Sequence, residues 1–184
     1  MISVGIDPSS GARSSVGFSV IDMDTMEILV AKEFKIPSTP DLKTRLKHIA
    51  AHLVKEFKAL EAQDLPYIIC IEQTVMRGKG GEALNRAIGA MMVTMPLARK
   101  LYHVSNMRMK LFISGSGKGD KKDIAEGLKK YFPNSDLLFQ LTTSSRFDTI
   151  DAIGIAITGY KENVEKLKIV PNTKSKSAIK KSMA

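Results

Sequence analysis

Asp7 closes one apolar run, Glu72 closes another, and Asp148 and Asp151 stand three residues apart in a segment of helical composition. Four carboxylates so placed could hold two divalent cations against a phosphodiester, because hard cations take oxygen ligands. Two such ions about 3.5–4 Å apart activate an attacking water and stabilise the leaving oxygen of an in-line cleavage. Residues 2–7 and 67–72 both read as short buried strands. An anionic side chain that ends such a strand must lie at the sheet's end, in a cleft, or meet a cation, since an unpaired buried charge is too costly. Asp148 and Asp151 are i, i+3 neighbours and share a helix face. The ordinary reading of such a pair is a solvated helix surface, but the Ile- and Ala-rich run at 150–157 ties this face to a buried segment.

Cations flank the acids along the chain. Arg77, Lys79 and Arg86 follow Glu72, while Lys110, Lys118, Lys121 and Lys122 surround a glycine-rich loop at 115–119. They are the DNA-binding candidates, placed as a phosphate track beside metal ligands would be; for Lys118 and Lys122 an ordinary solvated role serves as well. The net charge of +9 and a pI of about 9.6 point to a polyanionic partner. From Glu165 onward, Lys166, Lys168, Lys174, Lys176, Lys180 and Lys181 oppose that single acid in a stretch with little periodicity. The chain therefore divides into a globular domain over residues 1–162 and a basic, disordered tail over 163–184. Such a tail is either a solubilising end or a salt-sensitive grip on nucleic-acid backbone.

Composition excludes other classes. At 184 residues and 43% hydrophobic the chain can bury a full core, and no apolar run approaches the length of a membrane span. The single cysteine, Cys70, cannot form an internal disulfide and reads as a small core residue in a reducing compartment. No signal or transit peptide is visible at the start, so the expected location is the cytoplasm of a bacterium or a phage-infected host cell. His48 and His52 share a helix face, but two ligands without a third partner more often mark a half-exposed surface than a metal site.

The elements that must position the acids follow from periodicity. Residues 2–7, 15–21 and 27–34 read as a three-strand meander. Residues 41–62 carry apolar side chains at spacings of three and four after Thr39 and Pro40, and form an amphipathic helix. The strand ending at Glu72 leads through a polar loop into a helix over 82–102, kinked at Pro96, whose apolar and small residues exceed what one core-facing stripe needs. A fifth strand is expected over 108–114, a helix over 121–132 capped by Asp120, and a closing helix over 145–160. This order predicts an α/β, ribonuclease-H-like fold with a five-stranded mixed sheet flanked by helices.

Gly-Ile-Asp-Pro-Ser-Ser at 5–10, Gly-Phe-Ser-Val-Ile-Asp at 17–22, Ile-Glu-Gln at 71–73, Ser-Gly-Ser-Gly-Lys at 114–118 before Asp-Lys-Lys at 120–122, and Asp-Thr-Ile-Asp-Ala-Ile-Gly-Ile-Ala-Ile at 148–157 together resemble RuvC-type Holliday junction resolvases. The likeness runs over roughly residues 2–160. It implies that Asp7, Glu72, Asp148 and Asp151 bind Mg²⁺, with Mn²⁺ able to substitute and two ions per active site. It also implies that Lys110, inside the fifth strand, and Lys121, at a helix start, serve junction binding or catalysis, with Lys121 placed to neutralise charge developing at phosphorus. A homodimer that nicks symmetric strands of a four-way DNA junction is the implied activity. Two positions depart from the pattern. Asp7-Pro8-Ser9 replaces the usual Asp-Pro-Gly, and Val75 stands where cellular members carry an aromatic that stacks at the opened junction centre. The second departure favours a relaxed branched-DNA nuclease that also cuts forks and flaps. Outside the nuclease class, a catalytically silent DNA-binding module would not keep four acids in a basic groove. The opening motif also resembles the phosphate loop of actin-like ATPases and sugar kinases, but those need a second, duplicated domain.

Overall fold

A computed structural model describes residues 1–8, 15–37, 41–73, 79–143 and 147–166, with only the backbone described for residues 79–84 and 143. Strands β1 (Ile2–Pro8), β2 (Ser15–Asp22) and β3 (Glu27–Lys35) form an antiparallel meander. Helix α1 (Leu42–Glu61) leads to β4 (Tyr67–Gln73), α2 (Lys79–Met92) to β5 (Lys100–Ser105), and α3 (Asn106–Ser114), α4 (Lys121–Leu128), α5 (Asp136–Thr143) and α6 (Phe147–Asn163) follow. β4 and β5 add to β1 in parallel, giving the order β3-β2-β1-β4-β5 in one mixed sheet.

The two sheet faces differ in side-chain size, and that difference decides where each helix lies. Ile2, Val4 and Ile6 of β1, Val16, Phe18 and Val20 of β2, and Ile69 and Ile71 of β4 pack with Ile49, Leu53 and Phe57 of α1 and Met91 of α2. The alternate residues of the same strands are mostly small, Ser3, Gly5, Ser19, Gly17 and Cys70, with Ile21 and Ile68 toward the end away from Asp7. Over this shallow track α6 lies almost in backbone contact. A Cβ on Gly5 would sit 2.0 Å from the Ala152 carbonyl oxygen, and one on Gly17 would sit 1.9 Å from that of Asp148. Ser3 Oγ donates to the Ala156 carbonyl at 2.8 Å, and Gly159 lies against Cys70 Sγ. Residues 149–160 of α6 are consequently buried throughout, walled on their outer side by α3, α4 and α5.

Three expectations need correction. The fifth strand is Lys100–Ser105, whereas residues 108–114 belong to helix α3, so Lys110 stands on a helix. Ser105 caps that helix by accepting from Arg108 N–H, and Gly115, at φ 77°, closes it in the left-handed conformation. The helix expected over 82–102 starts earlier and ends at Met92, because a turn leads into Pro96, which ends the helical run instead of kinking it. Helix α5 was not anticipated, and α4 stops at Leu128. Asp120 does cap α4, in a capping box with Asp123. Asp41 caps α1; Thr39 and Pro40 lie outside the described residues.

Candidate active site

Period-two alternation carries Asp7 onto the α6 face of β1, after Ser3 and Gly5, and Glu72 onto the same face of β4, after Cys70. Both strands run parallel and end together, so the two acids emerge side by side at one sheet end. The glycine track then sets the start of α6 over the same point, delivering Asp148 in its first turn and Asp151 one turn on. Asp7 and Asp151 are only 6% and 7% exposed. Asp7 shares a hydrogen bond with Glu72, and burial first, then the neighbouring charges of Glu72, Asp151 and Asp148, hold its carboxyl well above the usual range. Burial likewise pushes Asp151 up to about 6, with Glu72 and Asp148 adding to the rise and Lys121 and Lys110 opposing it.

Three of the four acids have a further contact. Lys121 Nζ lies 3.6 Å from Asp148 Oδ1 and 4.0 Å from Asp151 Oδ2, and 5.1 Å from the centre of the Phe147 ring. Ser15 Oγ donates to Asp148, and Asn106 Nδ2 donates to Glu72 Oε1 at 2.8 Å. Asp151 Oδ1 is buried and has no hydrogen-bond partner. The acids therefore form two pairs, Asp7 beside Glu72 and Asp148 with Asp151, the second bridged by a lysine. Among the described residues no group of three or more acidic, histidine or cysteine side chains stands in an arrangement that could hold a metal ion as it is.

The remaining candidates are spread more widely. Lys110, one helical turn beyond Asn106 on α3, is close enough to lower the Asp151 carboxyl and that of Asp120. Lys118 and Lys122 are exposed on the α3–α4 turn and at the start of α4. Arg86 lines a groove between α1 and α2 with Leu42, Leu46 and Val93, on the other face of the sheet from α6. Lys79 opens α2, its side chain outside the described set; Arg77, Val75 and the tail beyond residue 166 lie outside the described residues. His48 and His52 are exposed on α1, where the His52 ring stacks on Phe34 at 4.9 Å. Sequence reasoning missed Asn106, Ser15 and Phe147. Asn106 carried no local signal, since its place over Glu72 follows from the β4–β5 register.

With this geometry in hand, comparison with solved structures is informative. The RuvC structure of Thermus thermophilus superposes with a TM-score of 0.65 over 90% of this chain and 97% of that one, at 19% identity. The chain has the RuvC fold. A second T. thermophilus RuvC structure, solved in complex with Holliday junction substrate, superposes with a TM-score of 0.62 at 20% identity, covering 86% of this chain and 92% of that one. No protein-family model matches the chain, and no curated protein sequence matches it. Among the described residues no helix is long and apolar enough to cross a membrane.

Proposed function

We propose that this protein is a divalent-cation-dependent endonuclease that resolves four-way DNA junctions by paired nicks. The observation that carries the reading is the meeting of Asp7, Glu72, Asp148 and Asp151 at one sheet end, where among the described residues only Lys121 forms an ion pair with any of them. The donor set fits a hard cation. All four ligands are carboxylates, Asp151 Oδ1 is buried without a partner, and the Asp7 carboxyl is driven toward its protonated form by its acidic neighbours.

Asp7, Glu72, Asp148 and Asp151 would hold two Mg²⁺ ions, or Mn²⁺ in their place. When bound, such ions supply an activated water and neutralise the leaving oxygen of a phosphodiester. The chain's own contribution is orientation and charge. Ser15 fixes Asp148, and Lys121, an exposed side chain within reach of two of the acids, could turn from them toward a phosphate. Lys110, Lys118 and Lys122 extend that positive surface along α3 and α4, where backbone contacts would set DNA register without reading sequence. Symmetric nicking requires two copies. The apolar groove between α1 and α2, lined by Leu42, Leu46, Ala90 and the exposed Val93, gives a second copy a surface to cover.

Val75 favours a broader substrate range, because unstacking a junction centre without an aromatic wedge leaves forks and flaps nearly as accessible. The deciding experiment offers labelled four-way junction, fork, flap, duplex and RNA–DNA hybrid to the protein in Mg²⁺, Mn²⁺ or EDTA and maps the cuts. Symmetric nicks in the junction that vanish in EDTA are expected. Cleavage that persists in EDTA, or that is confined to hybrid or linear duplex, would remove the proposal. Cutting of forks at rates near those of junctions would select the relaxed form of it.

A further inference from the structure

Asn106 occupies a position that its helix does not explain. An asparagine at a helix start ordinarily serves the helix's own free N–H groups, but Ser105 already does so by accepting from Arg108 N–H. The Asn106 amide turns away from the helix and donates to Glu72 Oε1 at 2.8 Å. The register makes this contact systematic: β4 and β5 are parallel, Gln73 lies beside Ser105, and the next residue therefore stands over the end of β4. The helix bearing it is firmly held, with Met109 and Ile113 buried in the core and Gly115 closing its far end.

The chemistry of the donor matters. Glu72 has Asp7 as its neighbour on the other side, joined by a hydrogen bond. A lysine in the place of Asn106 would compete with a cation for the same carboxylate, as Lys121 does for Asp148 and Asp151. A neutral amide fixes the rotation of the carboxylate and leaves its negative charge available. We propose that Asn106 is a positioning residue for divalent-cation binding, locking Glu72 so that the Asp7–Glu72 half of the site is formed before the cation arrives. This rests on the metal-dependent nuclease reading. Outer partners of ligating carboxylates act in this way in metal sites generally.

The test measures Mn²⁺ affinity in DNA-free protein by electron paramagnetic resonance, for the unmodified chain, Asn106→Ala and Asn106→Leu. Leucine keeps the approximate shape of the amide but cannot donate. Both variants should bind Mn²⁺ more weakly by about 10- to 100-fold. Their junction affinity in EDTA should stay within about twofold, and excess Mn²⁺ should restore most of their cleavage, as mass action requires. Unchanged Mn²⁺ affinity in Asn106→Ala, or affinity recovered by Asn106→Leu, would overturn the role, the latter by showing that only packing was lost. If the unmodified chain itself neither binds Mn²⁺ nor cuts branched DNA, the nuclease reading fails instead, and the two failures are told apart by that control.

Discussion

The two ends of β4 treat charge in opposite ways. At its start, Tyr67 donates to Glu61, Arg99 Nε meets the same carboxylate at 2.9 Å, and the Arg99 guanidinium lies 4.2 Å from the Tyr67 ring centre. Every group there has a partner of the right kind, and the hydrogen bonds from Arg99 and Tyr67 hold the Glu61 carboxyl below its usual range. At its finish, Glu72 joins three other acids, one lysine bridges two of them, and the carboxyls of Asp7 and Asp151 are driven up. One strand thus carries a satisfied cluster that ties elements together and an unsatisfied one that costs stability. Strain of the second kind persists where a site must receive a ligand that the chain does not supply.

The contrast is broken most severely by Asp7→Asn. Loss of a central ligand removes several kcal/mol of transition-state stabilisation, so cleavage of a labelled four-way junction should fall about a thousandfold or more. Junction affinity, measured by gel shift in EDTA, should hold or rise, because the basic surface is intact. Binding lost in step with cutting would make Asp7 a structural residue like Glu61. An intermediate effect is expected of Asp151→Asn on stability. The Asp151 carboxyl is raised to about 6, so the folded metal-free protein favours its protonated form, and stability is lost as pH rises through that value. The variant should therefore be more stable than the parent by about 1–3 kcal/mol in urea titrations at pH 8 with EDTA. Its advantage should shrink at pH 5, and Mg²⁺ should stabilise the parent more than the variant. A variant less stable than its parent at pH 8 would show that the Lys121 contact outweighs burial. The smallest effect belongs to the satisfied end: Arg99→Ala should lower the melting temperature by a few degrees at most and leave cleavage unchanged.

Legibility in sequence followed the reach of the interactions. Strands β1, β2 and β4 were readable because burial on both faces writes near-continuous buried runs, and an acid at the end of such a run is conspicuous; β3 instead alternates between exposed and half-buried residues. Helix α6 was readable for the same reason, through Ile150, Ile153 and Ile157. The β5–α3 region was misread because Met-Arg-Met-Lys-Leu-Phe-Ile at 107–113 is short and apolar, which periodicity alone cannot assign. The bracketing Ser105 and Gly115 held the answer, as a cap at each end of nine helical residues. The contacts of Asn106 with Glu72 and of Ser15 with Asp148 join distant parts of the chain. Nothing local encodes them, and they became visible only through the strand register and the close seating of α6.

That seating also governs when the site can exist. Asp7 and Glu72 stand on strands made early in synthesis, whereas Asp148 and Asp151 arrive with the last helix, which finds its place only over the track of Gly5 and Gly17. Domains generally complete their long-range packing late, after the segments involved have been synthesised. A nascent or partly opened chain therefore has its lysines but only half of the acid set. For the nuclease proposed above, completion of the fold would itself be the safety catch against premature nicking.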